Sequence, residues 1–481
     1  MPSFLATGRG KLTLALLCVI AFLDFADASI VNVALPAMRA DLGFSVQSLQ
    51  WVPSGYLLTY GGFMLLGGRA ADLLGRRRVL VAGTLLFAAS SLAGGLAQNA
   101  GTLVGARLVQ GAGAALMLPA ALSILTTAFR EGSDRNTALG VWGGVAGLAS
   151  AAGVLLGGLL TDGPGWRWVM LVNPPVGVLA LLGVFALIER DRPAARTTGF
   201  DLPGAVLVTG ALLLLVFTLV KAPDVGWDAA RTVGGLAGAA VLLAAFVGNE
   251  LRARDPLLPL SIFRIRGLAA ADTTQLLAIA GFVSMFFFLS LYMENVLGFS
   301  PLQTGAAYLP LCAGVAVTAG VSSKLIARVG TRPLIVGGLL VTAAGLFWLA
   351  RIPVDGSYAA DVLPGTLVAS LGLGPVFVAV TAAANAGVPA DRAGLAAALL
   401  NASQQVGAAL GLAIFSALAT ARTGDLFAAG RPAPDALTGG FRRALLACAC
   451  FVLAASVVAL RTRDTRSEHP EPAAPAPEPV R

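Results

Sequence analysis

Apolar residues along this chain gather into runs of about 18 to 25, separated by short polar segments, and a helix of that length spans the ~30 Å hydrocarbon core of a bilayer. Fourteen such runs are expected, at residues 12–35, 49–68, 79–98, 102–124, 137–160, 167–188, 202–220, 232–249, 268–293, 304–327, 333–350, 362–385, 394–420 and 442–460. Lipid gives a backbone no hydrogen bonds, so runs of this kind are read as helices. The pattern therefore predicts an all-α polytopic membrane protein. The two longest connections on the starting side, around 189–201 and 250–267, bracket spans seven and eight. This divides the chain into an N-terminal segment (1–11), a six-helix bundle (12–188), a linker carrying two extra helices (189–267), a second six-helix bundle (268–460) and a tail (461–481). The tail is rich in Pro, Ala and Glu and is expected to be disordered.

Composition narrows the picture. With 57% hydrophobic and only 12% charged residues, the chain cannot cover a soluble core with a polar shell. The net charge of +8 comes from residues scattered among short connections, so no nucleic-acid partner is expected. With the N-terminus inside, 23 Lys and Arg fall on the inner side and 9 on the outer, which predicts cytoplasmic termini and residence in the cytoplasmic membrane. Arg9 and Lys11 before an apolar run, with Ala26-Asp27-Ala28, imitate a signal peptide, but the run continues to Leu35 and no cleavage is expected. The four cysteines lie in apolar runs and the single histidine, His469, in the tail, so neither a disulfide framework nor a metal site is expected. No extramembrane stretch can hold a catalytic domain, and no nucleophile constellation is present. A membrane enzyme or sensor is thus the less favoured class, and a transporter needing no cofactor the favoured one. Arginine outnumbers lysine, and alanine and glycine abound, which points to a bacterium.

Two carboxylates stand deep in the first run. Asp24 and Asp27 are three apart, on one face of the helix, where each costs about 3 kcal/mol and normally faces a wet path or a partner. Two charges at ~5 to 6 Å with an effective dielectric of ~20 repel by roughly 3 kcal/mol, so the pair is expected to hold one proton near neutral pH. Arg107, inside span four, is equally costly and is expected to pair with Asp27 or Asp24. A static ion pair and a protonation-controlled switch both fit that pairing.

Between spans two and three stands GGRAADLLGRRR, Gly67 to Arg78. Gly68 and Gly75 allow close helix approach, Asp72 can accept hydrogen bonds, and Arg76 and Arg77 can reach helix C-termini, so the segment reads as a gating latch or as a topology anchor. It resembles the loop signature of the major facilitator superfamily, with Leu73 where a basic residue is usual. Asp27-Ala-Ser-Ile-Val-Asn-Val-Ala-Leu-Pro36 resembles the first-span signature of its fourteen-spanner drug:proton antiporter branch, with Ser29 where threonine is common. Arg107-Leu-Val-Gln-Gly-Ala-Gly113 is similar to the fourth-span motif, and Trp166-Arg-Trp168 with Asn173-Pro-Pro-Val-Gly177 to the start of the sixth. Gly153, Gly157 and Gly158 resemble the antiporter motif of span five, but Val154 replaces its proline, so close packing is expected while the kink is left open.

The resemblance implies a major facilitator fold of two six-helix bundles plus two inserted helices. It also implies export of small amphipathic drugs, antibiotics or metabolites by alternating access, driven by the proton gradient. A symporter importing a small metabolite is the alternative on the same fold. Asp27, Asp24 and Arg107 are the candidates for proton coupling and substrate, with Asp27 favoured because it falls within the signature. Candidate cavity-lining residues are Asn32, Tyr56, Tyr60, Gln110, Gln275, Asn401, Gln404 and Gln405. The tyrosines suit stacking on an aromatic or cationic cargo, although packing accounts for them equally well. Asp272 opens span nine and Glu294 closes it, as interfacial acids or as sites of cation capture. The protein is expected to act as a monomer with protons, lipid and a small-molecule substrate as its partners.

Overall fold

A computed structural model describes residues 7–129, 133–189, 201–254, 256–388 and 393–464, and every long element among them is helical. In chain order these are α1 (Gly8–Leu42), α2 (Trp51–Leu74), α3 (Arg76–Gly95), α4 (Ala100–Ala128), α5 (Ser133–Asp162) and α6 (Arg167–Leu171 continuing as Asn173–Leu187). The inserted pair is α7 (Leu202–Val225) and α8 (Ala230–Arg252). The second set is α9 (Leu268–Asn295), α10 (Pro301–Ala307 continuing as Leu309–Val329), α11 (Thr331–Leu349), α12 (Tyr358–Val362 leading into Leu363–Asn385), α13 (Ala393–Ala428) and α14 (Ala433–Ala459). Among the described residues twelve helices are long and apolar enough to cross a membrane, and α2 and α5 cover the two further runs expected at 49–68 and 137–160.

Several helices outrun the apolar stretches that announced them. α1 has 35 residues, about 52 Å at 1.5 Å each, and is capped by the Thr7 side chain accepting from the Gly10 amide and by Gly43 in the left-handed region. α14 begins at Ala433 rather than near 442, because its first turns are amphipathic and lie outside the apolar window.

The packing of the first six helices is repeated by the last six. In the first set α1 packs on α5, α2 and α3 on α4, and α3 on α6; in the second α9 packs on α13, α10 and α11 on α12, and α11 on α14. Close glycine crossings repeat as well. A Cβ at Gly83 of α3 would lie 2.6 Å from the Met117 amide nitrogen of α4, and one at Gly338 of α11 would lie 2.6 Å from the Gly372 carbonyl oxygen of α12. Only glycine lets these backbones approach so closely. Each set also carries the same staple. Gly75 (φ 101°) turns α2 directly into α3, where the Arg77 guanidinium donates to the Phe185 carbonyl of α6 at 3.1 Å. Gly330 (φ 91°) turns α10 into α11, where Arg332 donates to the Thr462 carbonyl just beyond α14 at 2.7 Å.

The two sets meet along α2 with α13, α5 with α10, and α1 with α9. α7 packs on α8 and also on α2 and α13, so the inserted pair touches both sets. Its start is held by Asp201, which caps α7 through the Gly204 amide and accepts from Asn249 of α8 and the Leu257 amide. Burial opposes charge on Asp201, and these hydrogen bonds outweigh it, holding the carboxyl below its usual range.

Candidate functional site

The centre of the first set is a buried charged network. Asp27 and Arg107 are both within 1% of full burial and pair at 2.5 Å, joining α1 to α4. Arg107 also donates from Nε to the Val52 carbonyl of α2 at 3.1 Å and from Nη1 to Gln110 Oε1 at 2.7 Å. The other Asp27 oxygen accepts from Gln110 Nε2 at 2.9 Å and from Asn173 Nδ2 of α6 at 2.6 Å. Ser91 of α3 completes the ring, accepting from Asn173 at 2.9 Å and donating to the Met170 carbonyl at 2.9 Å. Five helices thus converge on one ion pair, and every carboxylate oxygen is satisfied, the condition under which a buried pair is tolerated.

Asp24 is equally buried but differently held. Its oxygens accept from the Tyr56 hydroxyl at 2.5 Å and the Tyr60 hydroxyl at 3.1 Å, both on α2. No cation pairs with it among the described residues. The two environments touch through Tyr56, whose ring lies 4.2 Å under the Arg107 guanidinium while its hydroxyl serves Asp24. Tyr60 faces the other way. Its hydroxyl interacts with the side chain of Gln405 on α13, and a Cβ at Gly61 would lie 2.9 Å from the Gln405 Cβ.

The expected residues therefore separate into groups. Gln110, expected beside a cavity, is fully buried in the Asp27 network, and Tyr56 and Tyr60 are buried donors to Asp24 rather than free stacking faces. Asn32 is half-buried and donates to the Ala28 carbonyl of its own helix. Gln275 donates to Gln404 at 3.4 Å between α9 and α13, while Asn401 is exposed and bonded within α13. Gly153 and Gly157 receive α1, where added Cβ atoms would lie 2.7 Å from the Ala26 and Ile30 carbonyl oxygens. Gly158 receives Leu302 of α10 across the two sets, and α5 runs unbroken through all three. In the latch Gly75 makes the turn, Arg76 is half-buried and Gly68 faces Pro119 at 3.9 Å. The Asp72 side chain lies outside the described residues. Sequence reasoning missed Ser91 and Asn173; the latter stands in the quoted sixth-span motif, which was the available signal.

On the second set the corresponding centre is aromatic. Phe282 packs edge-on against Phe286 and Phe377, with ring centroids 5.0 and 5.6 Å apart, and Phe286 lies 4.6 Å from the Tyr308 ring. The three phenylalanines are half-buried. Flat apolar faces of this kind suit an amphipathic guest, while the first set provides the ionisable chemistry.

Residues 17–412 match the family model described as Major Facilitator Superfamily. The chain is similar to the puromycin resistance protein pur8 of Streptomyces alboniger, at 40% identity over 92% of this chain and 89% of that protein. It is also similar to the tetracenomycin C resistance and export protein of Streptomyces glaucescens, at 37% identity over 89% of this chain and 77% of that one. Among solved structures, an auto-inhibited POT family peptide transporter superposes with a TM-score of 0.67 at 17% identity, covering 96% of this chain and 99% of that one, a likeness of fold alone.

Proposed function

The chain belongs to the major facilitator superfamily, a multi-pass membrane transporter, and from that premise we propose that it exports small amphipathic drugs, antibiotics or metabolites in exchange for protons. Fourteen spans, cytoplasmic termini and a monomeric unit with no resident cofactor and no enzymatic activity complete this reading. Relatives named for antibiotic resistance and export support the direction.

One observation carries the coupling. Asp24 and Asp27 sit three residues apart, yet Arg107 neutralises only Asp27, leaving Asp24 with two tyrosine hydroxyls. A carboxylate without a cation in a low-dielectric bundle is the group that gains and loses a proton at least cost. Asp24 is then the proton carrier, and the Asp27–Arg107 pair is the fixed anchor beside it. This divides the roles expected of the two acids and moves the titrating role away from Asp27. Protonating Asp24 weakens its hold on the Tyr56 and Tyr60 hydroxyls. Tyr56 lies on Arg107 and Tyr60 reaches Gln405 in the other half, so the proton acts on both the anchor and the seam between halves. Rocking of the halves about that seam exposes the cargo site to alternate sides. Gly158 against Leu302 and Arg39 against Asn295 at 3.4 Å join the halves at the end remote from the termini, which is the outer end on this reading.

Reconstitution tests the proposal. In proteoliposomes, puromycin or tetracenomycin C accumulates in the acidic lumen and leaks out when a protonophore is added. Accumulation that ignores the protonophore contradicts coupling, and transport of neither compound against a gradient contradicts export of this class.

A further inference from the structure

We propose that Asp272 is a second proton-binding carboxyl of the transport cycle, placed in the C-terminal half at the far end of a polar seam that leads across α13 to Asp24. It lies one turn inside the start of α9 and is only 5% exposed. Among the described residues neither carboxyl oxygen has a hydrogen-bond partner. An ionised carboxylate in that condition costs several kcal/mol, so the site is stable only when a proton occupies it. Structural acids of this protein look different: Asp27 and Asp201 each collect three or more donors.

Side-chain contacts and sequence spacing together trace the seam. Gln275 follows Asp272 by three residues on the same face of α9 and bonds to Gln404 of α13. Gln405, next in the chain, interacts with the Tyr60 hydroxyl, and Tyr60 donates to Asp24. A carboxyl thus stands at either end, with amide and hydroxyl groups spaced between them and no bond from Asp272 to Gln275.

Among the described residues no charge on the neighbouring elements pairs with Asp272. α13 carries no ionisable side chain from Ala393 to Ala421, and Asp391 and Arg392 precede it in the sequence. α14 is followed by Arg461, Arg463 and Asp464, the turn Leu260–Arg264 brings Arg264 with Arg266 just beyond it, and α10 ends with Lys324 and Arg328. α1 brings Asp24 and Asp27 at mid-height and Arg39 at its far end, and Asp361 of α12 lies at the opposite end of the bundle. Among the described residues none of these groups forms a hydrogen bond or an ion pair with Asp272.

The inference rests on the proton-coupled reading, and its test separates the two. Infrared spectra of the purified full chain are recorded across a pH titration for the wild type, Asp272→Asn, Asp272→Glu and Asp24→Asn, following the carbonyl stretch of protonated carboxyls. Puromycin transport by the same samples is measured under a pH gradient and as energy-independent exchange. Asp272→Asn, which mimics the protonated acid and preserves shape, is expected to lose one carboxyl band, to lose gradient-driven accumulation and to keep exchange; Asp272→Glu is expected to restore the band. An unchanged band in Asp272→Asn overturns the inference, as does a lost band with undiminished gradient-driven transport. A wild type indifferent to the gradient defeats the coupling reading instead, while the band still decides whether Asp272 holds a proton.

Discussion

The two halves of this transporter share a scaffold and differ in chemistry. Both repeat the same helix neighbours, the same glycine crossing at Gly83 or Gly338 and the same arginine staple at Arg77 or Arg332. Inside the repeated frame, the N-terminal half buries an ion pair and an acid held by two tyrosines, whereas the C-terminal half places Phe282, Phe286, Phe377 and Tyr308 at its centre. On the proposed reading, the shared backbone packing guides how the halves move, and a few side chains assign the proton to one half and the cargo to the other. Separating the two tasks keeps the ionisable site dry and specific while the aromatic surface stays tolerant.

The largest expected effect breaks the charged half. Arg107→Ala leaves Asp27 buried and unpaired and is expected to destabilise the protein by about 3 to 5 kcal/mol, read as a fall in thermal midpoint in detergent. Arg107→Lys rescues only part of this, because an ammonium cannot serve Asp27, Gln110 and the Val52 carbonyl together. A full rescue by lysine would mean that charge alone matters there.

Next come the crossings that the halves share. Gly83→Ala and Gly338→Ala each force a methyl group to within 2.6 Å of a facing backbone atom and are each expected to cost about 1 to 3 kcal/mol. Similar losses in the two halves support a repeated frame. A loss confined to one half would show that the symmetry of contacts is not a symmetry of energy.

Smaller still is the tyrosine pair. Tyr60→Phe removes one hydrogen bond to Asp24, worth about 1 kcal/mol, and is expected to leave stability nearly unchanged while shifting the pH dependence of transport. An unchanged pH profile in Tyr60→Phe would sever the proposed link between Asp24 and Gln405.

Much of this frame is legible in the chain itself, for a physical reason. Lipid punishes polar residues so strongly that apolar run length reveals spans, and Asp24, Asp27 and Arg107 stand out because each is costly where it lies. The same reasoning loses the helix ends, since α1 and α14 continue past the apolar window as amphipathic turns. It also loses Ser91, whose hydroxyl can bond within its own helix and so gives no signal of cost. That Arg107 chooses Asp27 over Asp24 depends on which face of α1 meets α4, information that spacing along one helix does not contain. Asp24 and Asp27 share a face by count, yet α2 claims one and α4 with α6 the other.

The central claim is that Asp24, not the paired Asp27, carries the coupled proton. Reconstituted Asp24→Asn protein tests it by comparing puromycin exchange at equal pH with accumulation under a pH gradient. The account predicts exchange at the wild-type rate and no accumulation, because the carrier still rocks but no longer binds the driving proton; gradient-driven accumulation at the wild-type level would contradict it.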